Sequence, residues 1–197
     1  MTNRRYPAAW AAVLGWCALT GWFAFANSTR VPLLSLVDLG FHELGHLVMY
    51  ILPIHEVLTA AMGSIFQCMV PLGLGAYFWF VRRDGIGATV CLAWSATNFQ
   101  DASVYIADAP VQKLQLIGGE HDWGTILGPQ HFDIVESAGT IASVVKAIGF
   151  VLWCAATVCA VRGLLFSFGE TATGSGGAAE VPDAATAWTP DDRFPSR

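Results

Sequence analysis

The stretch that decides the fold lies in the first third of the chain and reads Val37-Asp38-Leu39-Gly40-Phe41-His42-Glu43-Leu44-Gly45-His46-Leu47-Val48-Met49-Tyr50. If this run is helical, His42 and His46 stand four residues apart on one face, where two imidazoles can bind one ion. Zinc suits such a pair because neutral imidazole nitrogens are among its usual ligands. Glu43 is placed to take a proton from a water on the metal. The pattern H-E-x-x-H therefore predicts a Zn²⁺ site with a general base.

The motif lies midway along an apolar segment, residues 33–52, that is long enough to cross a bilayer. Ionisable side chains in hydrocarbon are unfavourable, so their presence indicates either a function or pairing with neighbouring groups. The alternative to a metal site is a helix whose histidines pair with neighbours and bind nothing. We expect the metal site.

Composition indicates a membrane protein with no separate soluble domain. Hydrophobic residues make up 54 % of the 197 residues, charged residues make up 13 %, and the mean hydropathy is +0.51. These values lie outside the range of soluble proteins and predict an all-α, polytopic helical bundle in the lipid bilayer, a multi-pass protein of the cell membrane. No basic cluster indicates a nucleic-acid partner, and no glycine-rich loop indicates a nucleotide.

The apolar runs predict about five transmembrane helices within a membrane domain of residues 1–168. The expected spans are 8–26, 33–52, 59–81, 86–107 and 147–168, with a loop or lid over 109–146 and a disordered tail over 169–197. The first run follows two arginines and ends in Ala24-Phe25-Ala26, which also resembles a cleavable signal peptide. Its length and its three tryptophans favour a retained helix. The arginine and lysine positions do not select a membrane orientation.

Small residues on the predicted third span include Gly63 and Ser64. Small side chains let neighbouring backbones approach closely in lipid, so this helix should pack against the motif helix. Gln67 is the one amide on this span, and it is a candidate to face the metal site.

A polar stripe runs along the predicted fourth span. Steps of four, three, four and three place its members on one helical face: Trp94, Asn98, Asp101, Tyr105 and Asp108. Such a stripe must face protein or water, either as part of a functional site or as a hydrogen-bonded packing seam.

Depth in the membrane selects the third metal ligand among these residues. At about 1.5 Å per residue, His42 and His46 lie roughly 14 and 20 Å beyond residue 33. Asp101 lies about 22 Å beyond residue 86, whereas Asp108 lies near 33 Å. Asp101 is therefore the expected third ligand, with Asn98 level with both histidines.

The predicted loop carries two further candidates, His121 and Asp122, in the run Gly118-Gly119-Glu120-His121-Asp122-Trp123-Gly124. A loop of this length in a compact protein is often a lid or a binding segment. His121 and Asp122 are candidates to reach the metal or to orient one of its ligands. The alternative is a solvated loop that Trp123 anchors at the membrane interface.

An H-E-x-x-H inside a membrane helix, followed two helices later by an acidic residue, resembles the site-2 protease family of intramembrane zinc metalloproteases. The resemblance implies that His42 and His46 hold the zinc and that Glu43 activates water. Asp101 matches the family's aspartate only in helix order and depth, because the Leu-Asp-Gly spelling of that family is missing; the one Asp-Gly pair is Asp84-Gly85. The implied activity is hydrolysis of peptide bonds in membrane-spanning or membrane-adjacent protein or peptide substrates.

Two other classes of function remain open at this point. A membrane lipid amide or ester hydrolase uses similar metal chemistry. A non-catalytic pseudoprotease or metal-binding protein would keep the histidines without turnover. Metal analysis combined with Glu43→Gln separates these classes.

Overall fold

A computed structural model describes residues 6–51, 55–114, 116 and 120–174, and these residues form helices and turns without a β-strand. Six α-helices follow one another in this part of the chain: α1 (Pro7–Gly21), α2 (Leu34–Tyr50), α3 (Glu56–Tyr77), α4 (Gly85–Asp108), α5 (Asp122–Leu127) and α6 (Ala138–Gly174). Single π-helical turns, Trp22–Ala26 and Phe78–Arg82, extend α1 and α3, and a 3₁₀ turn, Val135–Ser137, leads into α6. The all-α prediction is confirmed.

Within the part of the chain that the structure describes, three helical segments are long and apolar enough to cross a membrane: Pro7–Ala26, Glu56–Arg82 and Val135–Phe168. They are consistent with the predicted membrane protein. The other two predicted spans correspond to α2 and α4, which do not meet the same criteria of length and hydropathy. A count of five spans therefore stays a prediction.

The central helix of the bundle is α4, which packs against α1, α3 and α6. Its small residues allow this, because Ala93 and Ala96 are completely buried. A Cβ at Gly149 of α6 would lie 2.8 Å from the Ala96 carbonyl oxygen, so the two backbones touch. Close backbone approach through small residues is the packing mode expected of membrane helices. Since its neighbours cover it, α4 can carry polar residues that an outer helix would expose to lipid.

The turn between α3 and α4 lies at Arg83 and Asp84, between the predicted spans 59–81 and 86–107. Arg83 adopts a left-handed conformation with φ of 55°, and the Asp84 carboxylate accepts hydrogen bonds from the backbone N–H groups of Ile86 and Gly87 at 3.0 and 3.1 Å. These bonds satisfy two of the free N–H groups at the start of α4. Asp84 is therefore a helix cap.

The motif helix α2 packs on α3 through glycine, as the small residues of α3 predict. A Cβ at Gly45 would collide with the carbonyl oxygen of Met62. The two backbones consequently cross with no side chain between them. This close crossing brings α3 side chains beside the motif histidines.

The predicted loop boundary at residue 146 is wrong. Helix α6 begins at Ala138, and α5 lies within the remaining segment. The reason is packing, since Ala138 and Ala142 are buried against Ile106 and Leu127 and continue the apolar face of α6 by two turns. The predicted disordered tail also begins too early, because α6 continues to Gly174. The rest of that prediction, 175–197, lies outside the described residues.

Candidate metal centre

Three metal-ligating side chains converge between the motif helix and the start of α5. The Nε2 atoms of His42 and His46 lie 3.1 and 3.3 Å from Oδ2 of Asp122. One ligand atom from each residue falls within 4.8 Å of the other two. These residues form a cluster that could hold one metal ion.

The spacing of this cluster fits a small tetrahedral ion. Zinc binds imidazole nitrogen and carboxylate oxygen at about 2.1 Å, so two ligand atoms at a tetrahedral angle are roughly 3.4 Å apart. The two distances from Asp122 Oδ2, 3.1 and 3.3 Å, lie close to that separation. Two of the three separations between ligand atoms therefore match those of a tetrahedral zinc site.

Each imidazole has an oxygen acceptor near Nδ1, on the side of the ring away from the cluster. The His46 Nδ1 atom lies 2.9 Å from the carbonyl oxygen of Thr59, which can only accept a hydrogen bond. The His42 Nδ1 atom lies 3.2 Å from Oε1 of Gln67. A neutral histidine that donates its Nδ1 proton to such an oxygen presents its Nε2 lone pair to Asp122.

The carboxylate of Asp122 adds a third acceptor to these two lone pairs. Burial alone raises the pKa of Asp122, but imidazoles of His42 and His46 that are protonated and donate hydrogen bonds to it outweigh that effect and lower its pKa to about 2. The carboxylate is therefore ionised at neutral pH. Three acceptors that point at one another repel unless a cation lies between them. A metal ion is one such cation, and an added proton on one histidine is the other.

Gly63 of α3 provides the space for the cluster. A Cβ at this position would lie 2.5 Å from His46 Nε2 and 2.6 Å from His42 Nε2, the two atoms that face the candidate ion. Any larger side chain would occupy the ion's surroundings. The small-residue pattern of α3 thus serves the site as well as helix packing.

The cluster opens into a cavity of about 440 Å³ that Glu43 also lines. Glu43 is exposed, as a group that exchanges protons with a substrate or with water must be. Arg30 and Glu120 line other parts of the same wall. The cavity therefore joins the predicted metal ligands, the predicted base and a charged surface in one space.

Asp122 is held in place by α4. The Tyr105 hydroxyl donates to Asp122 Oδ2 at 3.2 Å and accepts from the Asp122 backbone N–H at 3.0 Å. Next to it, His121 caps α5 by accepting from the Gly124 N–H at 3.0 Å, and its Nε2 lies 3.3 Å from Asp108 Oδ2. Tyr105 and Asp108, both from the polar stripe of α4, thus support the segment that carries Asp122.

Asp108 has a second role at the end of α4. Its two carboxylate oxygens accept hydrogen bonds from the backbone N–H groups of Lys113 and Leu114 at 3.1 and 3.0 Å. Burial raises the pKa of Asp108, but these bonds and the nearby His121 outweigh burial and lower it. The ionised side chain folds the chain after α4 back toward α5.

Asp101, the expected third ligand, does not belong to the cluster. Its Oδ1 accepts from Arg30 Nε at 2.7 Å, and its Oδ2 accepts from Gln67 Nε2 at 3.0 Å. The carboxylate lines the cavity but is engaged by these two donors. In this structure the third position of the cluster belongs to Asp122, which the sequence offers only as a loop residue within reach.

Asn98, expected level with the histidines, lies inside the seam between α3 and α4. Pro71 has no N–H, so the carbonyl of Gln67 four residues earlier lacks its usual helical donor. The Nδ2 group of Asn98 donates to that carbonyl at 2.7 Å. Asn98 is completely buried there and does not line the cavity.

The polar stripe of α4 faces neighbouring helices and the cavity, as predicted. Trp94 and Asn98 form a packing seam, where Trp94 Nε1 donates to Asp38 Oδ1 at 2.7 Å. Asp101 and Tyr105 face the cavity. The sequence gives no role to Arg30 or to the Thr59 carbonyl, since each contacts the site only after distant segments meet.

Comparison of the chain with protein-family models, with curated proteins and with solved structures finds no match.

Proposed function

We propose that this chain is a membrane-embedded, zinc-dependent metallopeptidase that cleaves peptide bonds in membrane-spanning or membrane-adjacent proteins or peptides. The observation that carries the proposal is the convergence of two imidazole Nε2 lone pairs and the Asp122 carboxylate on one point beside Glu43. The proposed multi-pass arrangement includes α2 and α4 as the second and fourth of five spans.

Three protein ligands leave a tetrahedral ion with one open position, which is the arrangement of catalytic rather than structural zinc. Here the proposed ligands are His42, His46 and Asp122. When bound, zinc supplies a Lewis acid that acidifies water and polarises a carbonyl group. The open position would face the cavity, where substrate and water have access.

Glu43 moves the proton in the proposed reaction. Its carboxylate accepts a proton from the attacking water and returns it to the nitrogen of the departing amine, so one residue acts first as base and then as acid. The peptide C–N bond breaks, and the water oxygen stays on the new carboxyl group. Glu43 follows His42 directly on α2, which fixes its carboxylate to the same helix turn as a ligand.

The substrate class follows from where the cavity lies. Its walls come from α2 and from the polar face of α4, inside a bundle whose outer helices carry many exposed apolar side chains. A substrate that reaches such a cavity comes from the membrane or from its surface. Because Glu43 can protonate an amine leaving group, we favour an amide over an ester, and among amides we propose the peptide bond.

The test uses the purified full chain in detergent and in phosphatidylcholine vesicles. Zinc content is measured by mass spectrometry, and cleavage is followed on a mixed set of synthetic transmembrane peptides. We expect one zinc per chain in both the wild type and Glu43→Gln, with cleavage lowered about 100- to 10,000-fold in the variant. Glu56→Gln, a change at an exposed glutamate outside the cavity, is the matched control and should cleave normally.

Four results would contradict the proposal. A metal-free wild type removes the zinc site. Equal peptide cleavage by wild type and Glu43→Gln removes the role of the base. Zinc binding with hydrolysis of lipid amides or esters instead of peptides would favour the lipid hydrolase. Zinc binding without turnover of any substrate would favour the non-catalytic metal-binding protein.

A further inference from the structure

A continuous chain of side chains leads from the cavity surface to one of the two proposed histidine ligands. Arg30 Nε donates to Asp101 Oδ1 at 2.7 Å, and Gln67 Nε2 donates to Asp101 Oδ2 at 3.0 Å. Gln67 Oε1 then lies 3.2 Å from His42 Nδ1. The three contacts connect the segment before α2, helix α4, helix α3 and the motif helix.

The two histidines differ in what fixes their protons. The partner of His46 is the backbone carbonyl of Thr59, which cannot donate and therefore keeps the proton on Nδ1. The partner of His42 is the amide of Gln67, whose two ends have opposite hydrogen-bonding character. If this amide turned over, its NH₂ group would face His42 Nδ1. The imidazole proton would then have to sit on Nε2, the atom that faces the ion.

Asp101 decides which way the amide points. An ionised carboxylate only accepts hydrogen bonds, so it requires the NH₂ end of Gln67 and leaves Oε1 for His42. Arg30 donates to the other carboxylate oxygen of Asp101 and holds it in place. Gln67 is only 4 % exposed, so water cannot readily replace either partner.

The position of Gln67 is itself restrained. The Asn98 side chain donates to the Gln67 backbone carbonyl that Pro71 leaves free, at 2.7 Å. This bond ties the turn of α3 that carries Gln67 to α4, the helix that carries Asp101. The amide is therefore held between two fixed partners.

We propose that Asp101 is a positioning residue that acts through Gln67, so that Arg30, Asp101 and Gln67 together hold His42 with its Nε2 lone pair toward the metal. The proposal rests on the metal site of the proposed function. It gives Asp101 a role different from direct ligation, because both of its oxygens are already engaged.

The first experiment compares Asp101→Asn with Asp84→Asn in the purified full chain. Asp84 begins the same helix as a cap, and asparagine caps as well as aspartate, which makes this variant the matched control. Zinc affinity is measured by competition with a chelator, and the visible spectrum of bound Co²⁺ reports the ligand set. We expect Asp101→Asn to weaken zinc binding about 10- to 100-fold with an unchanged type of Co²⁺ spectrum, because outer partners of metal ligands have effects of this size. Asp84→Asn should match the wild type.

The second experiment tests whether Asp101 acts through Gln67. Gln67→Leu removes the amide, and in that background Asp101→Asn should have no further effect on zinc affinity. The double variant Asp101→Asn with Gln67→Glu rebuilds the hydrogen-bonded series from residue 101 through residue 67 to His42, which we call the relay. The negative charge then lies on residue 67 instead of residue 101. An asparagine NH₂ group would then donate to the glutamate, whose second oxygen accepts from His42 Nδ1. We expect this pair to restore most of the zinc affinity that Asp101→Asn loses.

Each contrary result has a distinct meaning. Additive effects of Asp101→Asn and Gln67→Leu, or a restored pair no better than Asp101→Asn alone, would overturn the relay. Complete loss of metal from Asp101→Asn, or a changed Co²⁺ spectrum in that variant, would make Asp101 a ligand and would also overturn the relay. Unchanged affinity in Asp101→Asn overturns the relay alone, whereas a wild type that binds no zinc overturns the proposed function as well.

Discussion

Asp101 and Asp122 line one cavity but have different partners. Asp101 lies on the long helix α4, and an arginine and an amide donate to its two oxygens. Asp122 begins the short helix α5, and its Oδ2 faces two imidazole nitrogens that present lone pairs. A carboxylate that already has donors at both oxygens is suited to orient neighbours. A carboxylate that faces other acceptors is suited to bind a cation, so the partners of each group, more than its depth, decide its role.

The largest effect that follows from this comparison is loss of the metal from Asp122→Ala. The change removes the only carboxylate of the cluster, leaving two nitrogen ligands. We expect zinc affinity to fall by more than the roughly 100-fold that outer partners produce. Competition with a chelator measures the zinc affinities of Asp122→Ala and Asp101→Asn side by side. A larger loss in Asp101→Asn than in Asp122→Ala would reverse the two assignments.

Gly63→Ala should remove the metal almost as completely while leaving every ligand in place. The added Cβ would press on the Nε2 atoms of both histidines, the atoms that face the candidate ion. Gly73→Ala on the same helix is the control, because a Cβ there meets no atom within 4 Å. The zinc content of the two purified variants tests this prediction. Full zinc content in Gly63→Ala would contradict the ion position that we infer.

Tyr105→Phe sharpens the comparison with a smaller change. Among the described contacts its hydroxyl bonds to Asp122 and not to Asp101, so the variant frees one aspartate and spares the other. We expect zinc to bind about tenfold more weakly, as for other outer partners. Tyr77→Phe, at an exposed position on α3, should bind zinc like the wild type. Equal affinities of Tyr105→Phe and the wild type would show that Asp122 needs no support from α4.

The smallest expected effect concerns the tie that holds α5 on α3. Trp123 Nε1 donates a hydrogen bond to Ser64 Oγ at 3.0 Å. Asp101 lies within the long helix α4 and needs no such bond to hold its segment. In a cycle of Trp123→Phe, Ser64→Ala and the double variant, thermal unfolding in detergent should give a coupling of about 1 kcal/mol. Additive changes would mean that this bond does not stabilise the segment. The interface anchor that the sequence offers as the alternative role of Trp123 stays a prediction.

The helices could be predicted well from the sequence because apolar runs and breakers are local signals. The turn at Asp84 follows directly from Arg-Arg-Asp-Gly, and the close packing of α2 on α3 follows from Gly45 and Gly63. The start of α6 could not be read in the same way. Residues 138–146 are mixed in polarity, and only contact with Ile106 and Leu127 makes their alanine face a buried one.

By itself, the sequence determined the helical class, the apolar spans and the spacing that places His42, Glu43 and His46 on one helix turn, because these depend on residues a few positions apart. The tertiary structure decided which aspartate meets the histidines. That choice depends on where Arg30 and the α5 segment dock, contacts between residues that are 71 and 80 positions apart in the chain. Helical spacing can give the height of a side chain in a bundle. It cannot tell whether a cation from another segment has already paired with that side chain.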